Sequence, residues 1–131
     1  MLIAMTLEPF VAVDGVPFTL GIDELLRRKG TPGRRERNEV GLHAFDYGRV
    51  VYRFQDSGRL EEVTVDAPVV TLDGVAVPFA MLAAFVRTQD GQAFERAGFL
   101  VSPRYGLAFD PRERCWVTAL AAHCLPQWRC L

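Results

Sequence analysis

A chain of 131 residues is long enough to bury one hydrophobic core and too short for two independent domains. Half of its residues (50%) are hydrophobic and 24% are charged, a globular composition that excludes a disordered chain. The formal net charge of −1 provides no general attraction to nucleic acid or to an anionic membrane. We therefore expect one domain spanning residues 1–131.

The sequence predicts a cytoplasmic protein with no membrane contact. The N-terminus lacks the basic region and the long apolar run of a signal peptide. The most apolar window, residues 68–86, is interrupted by Asp73-Gly74 and by Pro78, so it cannot cross a bilayer as one helix. Three cysteines, an odd number, are typical of reduced thiols rather than of a disulfide framework.

Two similar hairpins are predicted, one at Asp14-Gly15 and one at Asp73-Gly74. Asp-Gly between apolar runs is a strong hairpin signal, because both central residues of a type I′ turn need positive φ. The first hairpin would join strands at 10–13 and 16–20, after an initial apolar strand. Each proline that follows, Pro17 or Pro78, leads towards a helix.

Acidic and basic residues predict a short helix after the first hairpin. Asp23 and Glu24 would lie in its first turn, residues 27–29 in its last, and Gly30 would end it. Residues 31–39 are polar and are predicted to form an exposed loop. Alternation then predicts antiparallel strands with one face on the core. These strands are 42–46, 49–55 and 60–65.

The same order follows the second hairpin. Pro78 suits the first position of a helix over residues 79–89, which Asp90-Gly91 would end. Strands are predicted at 99–102, 107–109 and 115–122, followed by an irregular tail. The predicted fold is α+β, with an antiparallel sheet built from two pseudo-repeated halves, about 10–66 and 69–122. Each half would contain a β-hairpin, a short helix and about three strands.

No pattern of residue types indicates a catalytic site or a cofactor. Neither Ser57 nor Ser102 lies in a nucleophile-elbow context, and no glycine-rich loop has phosphate-binding spacing. Glu61 and Glu62 are adjacent on a predicted strand and would point to opposite faces, so they cannot act as a carboxylate pair. We therefore expect a protein that is not an enzyme, with no catalytic residues and no cofactor.

A metal site is not expected either. His123 and Cys124 are adjacent on the last predicted strand and would point apart, and no CxxC or HxxxH spacing occurs. Buried free thiols are the favoured interpretation of the cysteines.

Candidate binding residues occur in an Arg-rich segment, 27–37, and in two aromatic pairs. The segment could bind phosphates or an acidic protein surface, or it could simply be solvated. Tyr52 and Arg53 on a strand, and Trp128 and Arg129 in the tail, have the chemistry of binding hot spots; Trp116 is expected to face the core. The predicted partner-binding residues are Arg34, Arg35, Arg37, Tyr52, Arg53, Glu62, Trp128 and Arg129.

One run of residues resembles a known module of a small helix followed by antiparallel strands. The residues that carry the resemblance are Leu20-Gly21-Ile22-Asp23-Glu24-Leu25-Leu26, Gly30-Thr31-Pro32, Tyr47, Val51 and Leu60. The module is shared by β-lactamase inhibitory proteins, which carry it in tandem, by small outer-membrane-assembly lipoproteins and by short cytoplasmic proteins of bacterial toxin–immunity loci. The resemblance implies a binder or inhibitor rather than an enzyme. The absence of paired cysteines favours the cytoplasmic members.

The sequence therefore predicts an immunity protein that neutralises a cognate bacterial toxin by binding it and occluding its active site. One alternative is a nucleic-acid or nucleotide-binding module that uses residues 27–37, although nucleic acid is the less favoured partner. Another is a structural adaptor or accessory protein, and a third is an enzyme with a site of unfamiliar pattern. An exposed edge strand could also pair with a second copy to form a homodimer.

Overall fold

The computed structural model describes residues 4–131, which form thirteen strands and three α-helices. The elements of the first part of the chain are β1 (Ala4–Glu8), β2 (Ala12–Val13), β3 (Val16–Pro17), α1 (Ile22–Lys29), β4 (Arg34–Arg37), β5 (Leu42–Asp46), β6 (Val50–Gln55) and β7 (Leu60–Asp66). Those of the second part are β8 (Val69–Leu72), β9 (Val75–Pro78), α2 (Phe79–Gln89), β10 (Phe94–Arg96), β11 (Phe99–Ser102), β12 (Leu107–Phe109), β13 (Trp116–Leu120), a 3₁₀ helix (Ala122–Cys124) and α3 (Leu125–Arg129). The predicted α+β class is confirmed.

The strands form two sheets. The smaller has the order β3-β2-β1-β8-β9, and the larger has the order β10-β11-β12-β13-β7-β6-β5-β4. Antiparallel pairing dominates both, as predicted, but β1 and β8 are parallel, with Met5 opposite Val70. This pair joins strands that are far apart in the sequence, and no local pattern indicates it.

Both Asp-Gly turns have the predicted backbone conformation. The φ angles are 49° and 79° at Asp14 and Gly15, and 49° and 78° at Asp73 and Gly74. The first hairpin is shorter than predicted, because Phe10 adopts a φ of 64° and does not continue the strand. The ring of Phe10 instead lies against Gly106, where a Cβ atom would come within 2.8 Å of it.

The two predicted helices are confirmed. In α1, Glu24 binds Arg27 and Arg28 one turn later, and the Gly30 N–H donates to the Leu26 carbonyl at 2.9 Å. In α2, residues Phe79, Leu82 and Val86 are buried. The tail predicted to be irregular contains α3 instead, because Leu125 and Trp128, spaced i and i+3, both pack on the sheet.

Two strands were not predicted, so four strands rather than about three follow the helix in each part of the chain. Segment 31–39, expected as a loop, contains β4, whose four side chains are all exposed and whose backbone pairs with β5. At the other end of the large sheet, β10 pairs with β11. An edge strand is held by backbone hydrogen bonds to one neighbour, so it can lack the hydrophobic alternation on which the prediction depended.

A hairpin, a helix and four strands follow one another in both parts of the chain. The two sets of four strands meet where β7 pairs with β13, with Thr64 directly opposite Thr118. This common order agrees with the predicted internal repeat without establishing it, and the repeat stays a prediction.

One main hydrophobic cluster is shared by the two sheets and by α1 and α2. Its large members include Met5, Leu25, Phe45, Phe54, Leu72, Leu82, Leu107 and Phe109. A smaller cluster of Val101, Ala108 and Leu120 lies on the opposite face of the large sheet, under α3. α3 covers that opposite face over the smaller cluster, and beside α3 the face is open, where residues of β6, β7 and β13 line a cleft. We call this open part the uncovered face. No helix in this described part of the chain is long and apolar enough to cross a membrane.

Candidate binding face

Alternation along β6 decides which of its side chains can reach a partner. Tyr52 and Phe54 point into the core, whereas Val51, Arg53 and Gln55 lie half-buried on the opposite, uncovered face. Tyr52 is only 4% exposed, so its inclusion among the predicted partner-binding residues is wrong. The same alternation that predicts the strand places Tyr52 and Arg53 on different faces.

A polar row crosses β6, β7 and β13 on the uncovered face. Arg53 is the cross-strand neighbour of Glu62, and its Nη1 donates to the Thr64 hydroxyl at 2.6 Å. The Thr64 oxygen lies 2.9 Å from that of Thr118 on the next strand. These bonds hold the guanidinium of Arg53 in one place, so it loses little freedom when a partner binds it.

Two tryptophans flank this row. Trp116 begins β13 and is 38% exposed, so the prediction that it faces the core is wrong. Val117 and Ala119 take the inward positions of β13, which turns Trp116 outward. Trp128 of α3 is half-buried, with its ring centroid 5.4 Å from that of Phe99, and it lines the same cleft as Glu62.

The row and the tryptophans line a cleft of ≈ 300 Å³. A second depression, of ≈ 560 Å³, lies over β4 and β5, and Arg53 borders both. We call this surface the binding face and define it by Arg53, Glu62, Thr64, Trp116, Thr118 and Trp128. An arginine and two tryptophans around a cleft are the residue types that dominate binding energy at protein interfaces.

The carboxyl group of Glu62 is electrostatically unusual. Burial raises its pKa above the ordinary value, Arg53 and the indole of Trp128 oppose this increase, and Glu61 adds to it. A carboxylate with reduced access to water forms a stronger interaction with a cation or N–H donor than one in bulk solvent. Glu62 is therefore suited to accept a hydrogen bond from a partner.

The structure does not bring the predicted arginines together. Arg34 and Arg53 lie on the same side of the large sheet, whereas Arg35 and Arg37 occupy the opposite side of β4. Arg129 lies at the far edge, with its guanidinium 5.0 Å from the centre of the Phe94 ring. Because Phe94 belongs to the same face as Trp128, the predicted residues that share one side are Arg34, Arg53, Glu62, Trp128 and Arg129, with Arg34 and Arg129 towards opposite edges.

Most charges of the Arg-rich segment already have a neighbour within the chain. Arg37 binds Asp56 with two hydrogen bonds, of 3.0 and 2.7 Å, and Arg34 pairs with Glu36. The guanidinium of Arg35 lies 4.4 Å from the centre of the Phe45 ring. Arg27 and Arg28 share Glu24, so three carboxylates pair with four of the six basic residues of the segment.

A third group of polar residues was missed by the sequence analysis. His123 and Cys124 lie in the 3₁₀ helix rather than on a strand, so the argument that they point apart is wrong. One donor atom from each, together with a carboxylate oxygen of Glu61, lies within a span of 4.8 Å. A register shift between β6 and β7 pairs Arg53 with Glu62 and Phe54 with Leu60, which leaves Glu61 as an extra, buried residue beside the 3₁₀ helix.

Compared with known proteins, the chain matches no family model, and no curated protein and no solved structure is significantly similar to it.

Proposed function

We propose that this protein acts by binding another protein, and that it is a cytoplasmic immunity protein that neutralises a bacterial toxin by occluding its active site. One observation carries the proposal. The large sheet exposes a face on which Arg53 and Glu62 lie beside Trp116 and Trp128, next to a cleft of ≈ 300 Å³. No catalytic step is assigned to this face.

The composition of the binding face favours a protein partner. Tryptophan and arginine supply large contact areas and charge-assisted hydrogen bonds, and a cleft between them can accept one side chain of the partner. Because the backbone beneath the face is a paired sheet, the side chains are positioned before binding, and preorganisation increases affinity. An occluding inhibitor needs a rigid face of this kind.

Nucleic acid is the weaker candidate partner. Phosphate binding depends on arginines and lysines whose charge is available, whereas Arg27, Arg28, Arg34 and Arg37 are each paired with a carboxylate. Aromatic side chains that could stack on bases lie instead on the binding face, beside the acidic Glu62. A structural adaptor would use the same face without inhibiting its partner.

The test is affinity capture from the native host, followed by measurements with the purified partner. We expect the wild-type protein to bind one partner stoichiometrically and to inhibit its activity. Arg53→Ala and Trp116→Ala should each weaken binding by about tenfold or more, as hot-spot substitutions do. Arg87→Ala is the matched control, because Arg87 is an exposed arginine on α2 that pairs with Glu95.

Three outcomes would contradict the proposal. Equal binding by Arg53→Ala, Trp116→Ala and Arg87→Ala would show that the face is not the interface. A partner that is bound but remains fully active would indicate an adaptor rather than an immunity protein. Salt-sensitive binding of RNA or DNA, abolished by charge reversal at Arg34, Arg35 and Arg37, would favour the nucleic-acid alternative.

The predicted homodimer is a separate proposal, and we assign it to strand β9 at the edge of the small sheet. This edge is exposed at Val75 and Ala76 and carries no charged side chain.

A further inference from the structure

Three side chains with different donor atoms converge where β7 meets the 3₁₀ helix. Cys124 Sγ lies 3.2 Å from Glu61 Oε2 and 3.4 Å from the Glu61 carbonyl oxygen. His123 Nε2 contacts the same oxygen, Glu61 Oε2. All three donor atoms lie within 4.8 Å of one another.

Two of the three side chains in the cluster are buried, whereas the His123 side chain is 31% exposed. Glu61 is 3% exposed and Cys124 is 2% exposed. The Arg59 guanidinium donates to Glu61 Oε1 at 3.2 Å, which leaves Oε2 directed at the sulfur and the imidazole. His123 Nε2 is buried and, among residues 4–131, completes no hydrogen bond of ordinary geometry despite its contact with Glu61.

We propose that Glu61, His123 and Cys124 form a zinc-binding site. Thiolate, imidazole and carboxylate are the three ligand types that zinc takes from proteins, whereas magnesium and calcium prefer oxygen ligands only. Zinc–sulfur and zinc–oxygen bonds of about 2.3 and 2.0 Å at a tetrahedral angle place sulfur and oxygen about 3.5 Å apart. The observed separation of 3.2 Å between Cys124 Sγ and Glu61 Oε2 is close to this value. His123 Nε2 lies closer to Glu61 Oε2 than two zinc ligands can, so the imidazole would shift away from the carboxylate when the metal binds.

The charges of the ligands match a divalent cation at this position. Cys124 coordinates zinc as a thiolate, so the bound metal would face two negative ligands, this thiolate and the Glu61 carboxylate. Zn²⁺ neutralises both ligands, and Arg59 then acts as the outer partner that orients the Glu61 carboxylate. Two buried charges without such compensation would be costly.

The site has room for a fourth ligand. Glu61 and Cys124 line a cavity of ≈ 330 Å³, together with Asp56, Ser57 and Gln127. An accessible zinc site has three protein ligands and one position that is open to water or to a small molecule. The metal would also tie the C-terminal segment to β7. This inference does not depend on the binding face or on the immunity proposal.

The test is the metal content of the full-length, untagged and reduced protein. After gel filtration in metal-free buffer, we expect about one zinc per chain by elemental analysis. Replacement by Co²⁺ should produce tetrahedral ligand-field bands and a thiolate-to-cobalt charge-transfer band. Magnesium or calcium in excess should displace neither metal.

Variants locate the site. Cys124→Ser and His123→Gln each remove a direct zinc ligand. Loss of an outer partner such as Arg59 lowers metal affinity roughly 10–100-fold, and each of these two substitutions should lower it further. Cys130→Ser is the matched control, because Cys130 is an exposed thiol in the same C-terminal segment. It should retain the metal and the cobalt spectrum.

Either of two results would overturn the proposal. Wild-type protein that binds neither zinc nor cobalt stoichiometrically would leave the cluster as a hydrogen-bonded network only. Zinc lost to the same degree in Cys130→Ser and Cys124→Ser would place the metal elsewhere. If a variant at residues 61, 123 or 124 fails to fold by circular dichroism, the spectra of the wild type and Cys130→Ser decide the question.

Discussion

Polar side chains in this protein form small hydrogen-bonded networks that connect neighbouring strands. Asp56, in the turn after β6, accepts hydrogen bonds from Arg37 of β4 and lies 2.6 Å from His43 Nε2 of β5. These bonds connect the edge strand β4 to the hairpin beyond β5. The hydrogen bonds from Arg37, followed by that from His43, hold the pKa of Asp56 well below its usual range.

The lowered pKa of Asp56 makes the stability of the folded protein depend on pH. Because the folded-state pKa of Asp56 is lower than the unfolded value, its contribution is present above about pH 4 and is lost as the pH falls further. We expect the thermal midpoint of the wild type to fall more steeply than that of Asp56→Asn when the pH is lowered below about 4.

Glu39→Gln provides the control for this measurement, since it removes one negative charge from an exposed position between β4 and β5. Its curve should run parallel to that of the wild type. Parallel curves for Asp56→Asn and the wild type down to pH 2 would show that the network does not stabilise the ionised carboxylate.

Among the elements, the four sheet edges differ in how they are protected from pairing with another chain. β4 carries Arg-Arg-Glu-Arg, β10 carries Glu95 and Arg96, and β3 is two residues long and ends at Pro17. β9 has no charged residue, and Val75 on it is 48% exposed. An apolar groove between β9 and α2 includes Met81, which is 61% exposed.

These features predict a dimer formed by antiparallel pairing of β9 with β9 of a second copy. Such a contact is self-complementary, as a two-fold interface must be, and it satisfies the free backbone groups of the edge. We expect analytical ultracentrifugation to show a dimer for the wild type and a monomer for Val75→Lys. Val11→Lys, at another exposed apolar position (60%), should remain a dimer. A monomeric wild type, or equal dissociation of both variants, would contradict the prediction.

At the scale of the whole molecule, the two parts of the chain depend on each other in both sheets. β1 of the first part pairs with β8 of the second, and β7 pairs with β13 through five residue pairs. Residues of both parts, such as Leu25 and Leu82, are fully buried in one cluster. Neither part can bury its apolar surface without the other.

Fragments test this dependence. Residues 1–67 and 68–131, expressed separately, should each give poorly dispersed NMR spectra, because the β7 and β13 side chains that face the core would be exposed to water. Mixing the two fragments should restore a dispersed spectrum close to that of the intact chain. A dispersed spectrum from either fragment alone would show that one part folds independently.

Much of the fold could be predicted because its causes are local. The helices at Ile22–Lys29 and Phe79–Gln89 follow from charges and end residues within each segment, and strands Leu42–Asp46 and Phe99–Ser102 follow from apolar runs and alternation. Both Asp-Gly turns follow from the φ angles that two residues can adopt. Three residues of the proposed binding face, Arg53, Glu62 and Trp128, were predicted to bind a partner, and Arg53 and Trp128 have residue types that are typical of interfaces.

The sequence by itself thus determined most of the elements, their order and the two Asp-Gly turns, but not β4, β10 or α3. Only the tertiary structure decided the parallel pairing of β1 with β8, the burial of Tyr52, the exposure of Trp116 and the convergence of Glu61 on the 3₁₀ helix. The physical reason is distance along the chain. A turn or helix end depends on neighbouring residues, whereas strand pairing, a β-bulge and a three-residue cluster depend on which distant segments share the core.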